Sequence, residues 1–364
     1  MKLSDKYTIY VDFGIKDNLC EYFNCRDIIF NFITKEDDDV PIVDRAFHDA
    51  LYKSDKKIIL IVDIPTIEKL YQQVSKYNNF STLVDSGRIK LIYYRPSDSL
   101  LQDIEVLKNG RVTWLEDCLV GEDIKREFKN TEFHYLHHPI INWCRTNHLS
   151  NLRINKVKKN TFFSLIRLRQ TRRHRNLLIQ KMQGKEYLKD AITKIHGEGS
   201  DNVLFLKDLE TEYGKTFLDQ ATWKHGLPII SYYENTCFEL VCETLGEVSG
   251  DDSFHLSEKT IKPIAMGHPF IMLSTKHFLK NLKELGFLTF GDYIDESYDE
   301  CGDPNDRVKI ISKNLERLDI IESRKFYNDT RNICEYNQNH LMYLQGRYKF
   351  DLWKNLDELF KKYQ

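Results

Sequence analysis

Short, unbroken apolar runs recur along the first two thirds of the chain. Tyr7–Asp12 (YTIYVD), Ile28–Ile33 (IIFNFI), Lys57–Asp63 (KIILIVD) and Ile89–Tyr94 (IKLIYY) are each of strand length. Continuous apolar runs of this kind, rather than alternating ones, fit strands buried on both faces of a parallel sheet. Between them, Val43–Lys53 has helical spacing, and Pro65 opens a predicted helix over Thr66–Lys76. Strand, helix and strand in that order is the βαβ pattern. Asn109-Gly110 lies between two β-prone runs in Asp103–Trp114 and predicts a small hairpin. After a polar, basic join at Thr146–Lys159 the pattern restarts. It gives a strand at Thr161–Ile166, a helix at Arg175–Met182, and strands at Val203–Leu206, Leu227–Tyr233 and Phe238–Cys242.

The stretch Phe254–Ser274 (FHLSEKTIKPIAMGHPFIMLS) then reads as loop, helix, tight turn and buried strand. Ser257 caps the helix, and Glu258, Lys259 and Thr260 fall in its first turn. Pro263 removes the bond back to the Lys259 carbonyl, which predicts a kink. Gly267 ends the helix. Helices follow at Lys276–Leu285, Asp306–Asp319, Glu322–Leu344 and Asp351–Tyr363. The expected fold is α/β, with two doubly wound, Rossmann-like domains facing a cleft and a helical C-terminal tail. The boundaries are 1–150, 151–320 and a tail of 321–364 that packs back across the domains.

Composition narrows the class. The 364 residues are 41% hydrophobic, enough to bury cores in two domains of ordinary size. No apolar run approaches the ~20 residues of a membrane span. Asp12 follows the N-terminal MKLSDKYTIYV too early for a signal peptide, so a cytoplasmic protein is expected, in the host if the source is viral. The eight cysteines include no C-x-x-C pair and are expected to be free thiols. A net charge of −2 argues against a whole-molecule attraction to nucleic acid, so local clusters matter more.

The densest basic cluster is Arg153–Lys189, with twelve Lys and Arg that include Arg167, Arg169 and Arg175. Much of it lies where a strand passes into a helix, the place where an α/β sheet presents phosphate-binding groups. The same cluster also fits a solvated basic face or a contact with nucleic-acid phosphates. A helix start with a lysine, as at Ser257–Thr260, likewise suits a phosphate, and the adjacent Glu258 can accept from ribose hydroxyls. Asp12 and Asp63 each end a predicted strand of the first domain, where a carboxylate is placed for general-base work or for capping the next turn. The acidic loop Asp295–Asp299 reads as a polar loop packed by Phe290, Tyr293 and Tyr298, or as a metal loop. Glu36–Asp39 contains a D-x-D that reads as a surface turn. His134, His137 and His138 lack the partner spacing of a metal site.

The run Ser257-Glu258-Lys259-Thr260 through Gly267-His268-Pro269-Phe270-Ile271 resembles the sugar-nucleotide motif of family 10 fucosyltransferases. Arg175-Asn176-Leu177-Leu178 after TFFSLI looks like the Arg-Asn helix start of the same family. KPIAMGHPFIMLS followed by LGFLTFGDYIDESYD is also similar to glycosyltransferase-like proteins of phages and large viruses. The resemblance covers roughly Thr161–Arg317. It implies a GT-B fold and transfer of a sugar from a nucleoside diphosphate to a hydroxyl acceptor, a glycan or a hydroxymethylated base in phage DNA. It implies that Glu258 holds the ribose, Lys259 the diphosphate, and Arg175 the diphosphate or departing charge, with Arg167 or Arg169 nearby. It further implies that no cofactor or metal is needed, and that an acid of the N-terminal domain, here Asp12 or Asp63, is the base. A non-catalytic nucleic-acid-binding protein using residues 153–189 is the alternative.

Overall fold

The computed structural model describes residues 3–12, 22–26, 31–33, 49–50, 53–62, 83, 86–94, 112–116, 132–135, 158–168, 172–197, 229–244, 246, 254 and 256–363. The chain divides into two compact units: Met1–Ile141 with Arg347–Gln364, and Asn142–Gly346. Each is built on its own parallel sheet, so the architecture is α/β, with a largely helical C-terminal part.

In the first unit the strands are β1 (Tyr7–Asp12), β2 (Asn31–Ile33), β3 (Lys57–Val62), β4 (Ile89–Tyr94), β5 (Val112–Glu116) and β6 (Glu132–Tyr135). They lie in the order β2-β1-β3-β4-β5-β6, every neighbouring pair parallel. Ile58, Ile59, Leu60 and Ile61 are all fully buried, as expected of a run covered on both faces. A short helix, α1 (Leu3–Lys6), leads into β1. Part of the covering comes from the far end of the sequence. Leu352, Leu356, Leu359 and Phe360 recur at helical spacing and join one core with Ile9, Val11, Ile59, Ile61 and Ile92. Arg26 forks onto Asp357 at 2.5 and 2.6 Å, with its guanidinium 4.2 Å from the Tyr22 ring centre, and ties that helical segment to the turn at 22–26.

The second unit carries β7 (Asn160–Leu168), β8 (Ile192–Gly197), β9 (Thr236–Cys242) and β10 (Phe270–Leu273), in the order β10-β9-β7-β8 and all parallel. Every residue of β9 and β10 is buried. Its helices are α2 (Arg173–Met182), α3 (Ile230–Asn235), α4 (Glu258–Ala265), α5 (Phe278–Glu284), α6 (Pro304–Arg317), α7 (Ile320–Asp329) and the start of α8 (Arg331–Tyr363). Asp303 and Asp319 cap α6 and α7 with their carboxylates, and Pro304 occupies the first position of α6.

Several expectations change. Ile230–Tyr233 belongs to a helix, not a strand: Tyr232 and Tyr233 pack on Phe163 with ring centres 5.7 and 4.8 Å away. A short apolar run does not by itself separate the two states. β5 pairs in parallel with β4 and β6, so Val112–Trp114 is not a hairpin arm on either neighbour. The tail breaks at Thr330, between α7 and α8, and α8 continues through Gly346. β8 had no counterpart among the predicted strands. Asp295–Asp299 is a structural loop: Glu296 accepts from the Phe290 amide and the Thr289 hydroxyl, and Asp299 accepts from the amides of Leu279 and Lys280 at the start of α5. Glu36–Asp39, Thr66–Lys76 and Val203–Leu206 lie outside the described residues. Among the described residues no helix is long and apolar enough to cross a membrane, and Cys25, Cys237, Cys242, Cys301 and Cys334 are free thiols.

Candidate anion site at the carboxyl edge of the second sheet

Strand order reverses between β7 and β9: the chain passes from β7 to β8 on one side, and β9 and β10 lie on the other. Ligands of open α/β sheets sit at the carboxyl ends of the strands at such a switch point. Two helices begin there, α2 after β7 and α4 after β9.

The start of α4 is built from its own sequence. Ser257 is extended and its hydroxyl accepts from the Lys259 amide at 3.2 Å, a helix cap. Its end is equally specific. The amides of Gly267 and His268 reach back to the carbonyls of Ile264 and Pro263, at 3.0 and 2.9 Å, with Gly267 left-handed at φ 57°. That is a Schellman closure. Pro263 therefore sits in the last turn of a short helix, and its carbonyl is part of the closing motif.

Beneath this helix start lies Glu243, the residue after β9, which is fully buried. One carboxylate oxygen accepts from the Ser257 amide (3.2 Å) and the Thr260 hydroxyl (2.5 Å). The other accepts from the Thr244 amide (3.0 Å) and the Ser257 hydroxyl (2.6 Å). Thr260 is thus wholly enclosed and turned to Glu243. The Lys259 ammonium lies above, 2.6 Å from Glu258, 3.2 Å from the Thr244 hydroxyl and 3.3 Å from the Ser257 hydroxyl, with 27% of the side chain exposed. Burial pushes the Glu258 carboxyl up, but the Lys259 ammonium and Lys262 outweigh it and bring it down to about 2.

Arg175, on the first turn of α2, is 1% exposed. Its guanidinium donates to the carbonyls of Arg167 (2.9 Å), Cys242 (3.0 Å) and Glu243 (2.6 and 3.2 Å). It braces the ends of β7 and β9. Burial draws it down to about 10, which leaves it charged at neutral pH. His174 beside it sets its ring against the Glu243 carbonyl at 3.2 Å, and burial, then the Arg175 charge, hold it down to about 3. Arg167 is half-buried in β7, and Arg169 lies outside the described residues.

In the first unit, order reverses between β1 and β3. Asp12 is the last residue of β1, and Asp63 directly follows β3, itself outside the described residues. Asp12 therefore stands at the carboxyl end of a strand beside that sheet's switch point. His134 lies in β6, and His137 and His138 are outside the described residues. Among the described residues no three His, Cys, Asp or Glu side chains gather as a metal site.

The basic segment is less free than its sequence suggests. Lys158 is buried and donates to the Tyr233 carbonyl at 2.6 Å, Lys185 pairs with Glu316 at 2.6 Å, and Lys189 pairs with Glu186 at 2.6 Å. Sequence reasoning missed Glu243 and Thr244. The available signal was an acid directly after the apolar run Phe238–Cys242, the same signal that singled out Asp12 and Asp63.

No protein-family model matches the chain, and no curated protein matches it. Among solved structures the chain is similar to an alpha,alpha-trehalose 6-phosphate synthase from Burkholderia multivorans, at 6% identity and a TM-score of 0.49, over 97% of this chain and 96% of that one. It is also similar to a chain of the GtfA/B complex, at 12% identity and a TM-score of 0.38, over 92% of this chain and 61% of that one.

Proposed function

We propose that the protein is a GT-B glycosyltransferase that binds a nucleoside-diphosphate sugar at the β7–β9 edge and transfers the sugar to a hydroxyl acceptor. The observation that carries this is the Lys259 ammonium, partly exposed on the first turn of a capped helix at a topological switch point. A helix start and a cation together suit a diphosphate, the leaving group of such a transfer. In this reading Lys259 binds the diphosphate, Glu258 accepts from the ribose hydroxyls, and Arg175, with Arg167 and Arg169, supplies positive charge that stabilises the departing nucleotide without a metal. Asp12 or Asp63 takes the acceptor proton. The acceptor is a glycan or a hydroxymethylated DNA base, and a base inside a duplex has to be flipped out. The pairing of Lys185 and Lys189 with acids leaves less basic surface for the non-catalytic nucleic-acid reading.

The test is titration with UDP and GDP, followed by thermal shift, because a ligand of the folded state raises stability. Lys259→Ala is expected to lose at least about tenfold in affinity, the order of one charge-assisted bond. Wild-type protein that binds neither nucleotide refutes the reading.

A further inference from the structure

The position of Lys259 traces back to a group that touches no ligand in the reading above. The Ser257 hydroxyl has one proton and two lone pairs. It gives the proton to Glu243 at 2.6 Å and accepts from both the amide and the ammonium of Lys259, at 3.2 and 3.3 Å. A carboxylate only accepts, so Glu243 decides which way that proton points. With the proton drawn downward, both lone pairs face Lys259. The same carboxylate holds the Thr244 amide, and the Thr244 hydroxyl is the ammonium's other neutral acceptor.

We infer that Glu243 is the positioning residue for Lys259, acting through the Ser257 hydroxyl and through Thr244 to hold the ammonium over the start of α4. The inference rests on the nucleotide-binding reading for its consequence, but its geometry stands without a ligand. A glutamine cannot substitute. One oxygen of Glu243 faces the Ser257 amide and the other faces the Thr244 amide, so either orientation of a carboxamide sets an NH2 group against a backbone N–H. Removal of the Ser257 hydroxyl breaks the same line at its middle.

The experiment compares Glu243→Gln, Ser257→Ala and Asp319→Ala with wild type in two measurements. Asp319 caps α7 through the amides of Ile321 and Glu322, so its loss is a matched cap deletion away from this edge. The first measurement, without ligand, is hydrogen exchange at the Lys259 amide. It is expected to accelerate in Glu243→Gln and Ser257→Ala and to hold at the wild-type rate in Asp319→Ala. The second is affinity for UDP and GDP, expected to fall about tenfold in the first two variants, the order of one charge-assisted bond, and to stay unchanged in the third. Unchanged exchange in Glu243→Gln overturns the inference, as does faster exchange with full affinity. An equal loss of affinity in Asp319→Ala assigns the effect to general stability and overturns it too. If wild type binds neither nucleotide, the nucleotide reading falls, and the exchange measurement still decides whether Glu243 sets the start of α4.

Discussion

Replacement of Arg175 by lysine separates a brace from a ligand contact. The guanidinium reaches three carbonyls on two strand ends, Arg167 on β7 and Cys242 and Glu243 at the end of β9. A lysine ammonium keeps the charge but is a single point on a flexible stem, and it cannot span both strand ends. At least two charge-assisted bonds are lost, at about 1.5–3 kcal/mol each, or about 3–6 kcal/mol together. The upper figure is trimmed because a buried lysine sheds its proton more readily than an arginine does. Against the roughly 5–15 kcal/mol that holds a typical domain folded, the loss is large. At about 1–3 kcal/mol per molar urea, the unfolding midpoint of the second unit is expected to drop by about 1 M or more. Urea unfolding followed by circular dichroism measures it, with hydrogen exchange on β7 and β9 to assign the transition. A variant within about 0.5 kcal/mol of wild type that nevertheless loses nucleotide affinity would refute the brace and make Arg175 a direct ligand contact.

Deletion of residues 347–364 removes Leu352, Leu356, Leu359 and Phe360 from the first core; at about 1.5–3 kcal/mol for each buried side chain, roughly 6–12 kcal/mol goes with them. The first unit is then expected to be unfolded by circular dichroism, and a folded product would show that its core stands without the tail. Gly267→Ala forces a side chain into a left-handed residue at φ 57° and is expected to lower stability by about 1–2 kcal/mol in urea titration. His174 is held neutral down to about 3, below its ordinary 6.5, by burial and then by the Arg175 charge. Its contribution is therefore complete above about pH 6.5 and is lost as pH falls from there toward 3. His174→Gln, which keeps a donor for the Glu243 carbonyl, is expected to flatten that part of the profile of urea midpoint against pH.

Where one physical rule dominates, the fold was legible. The unbroken apolar runs of β1, β3, β4, β7, β9 and β10 announce strands covered on both faces, and the strand pairing is parallel as such runs predict. The failures come from competing rules. In Ile230–Tyr233 the apolar residues suit a strand, yet packing of two tyrosines on Phe163 selects a helical turn. At Gly346 the glycine signals an end, but the apolar spacing on both sides continues in phase, and about 1 kcal/mol against alanine does not stop the helix. Pro263 disrupts little because α4 is only eight residues long. Two residues later the helix is over.

At the candidate site the chemical types were legible and their directions were not. Ser257, Glu258 and Lys259 are recognisable because a cap works locally, within three residues. Arg175 and Glu243 depend on which way a strand end faces, and that is settled by α2 and α4 closing over β7 and β9. A sequence assigns an acid after an apolar run to the open edge of a sheet, as with Asp12 and Asp63. Glu243 shows another use of the same signal. Its carboxylate is enclosed by four donors, three of them from the following helix start, and abstracts a proton from nothing. The distinction between the two uses is the chemistry of the segment that follows. Glu243 precedes a helix opening with two hydroxyls, Ser257 and Thr260, whose protons need an acceptor. Asp12 is followed by Phe13, Gly14 and Ile15, and Asp63 by Ile64 and Pro65, none of which brings a side-chain donor, while Pro65 also lacks an amide one.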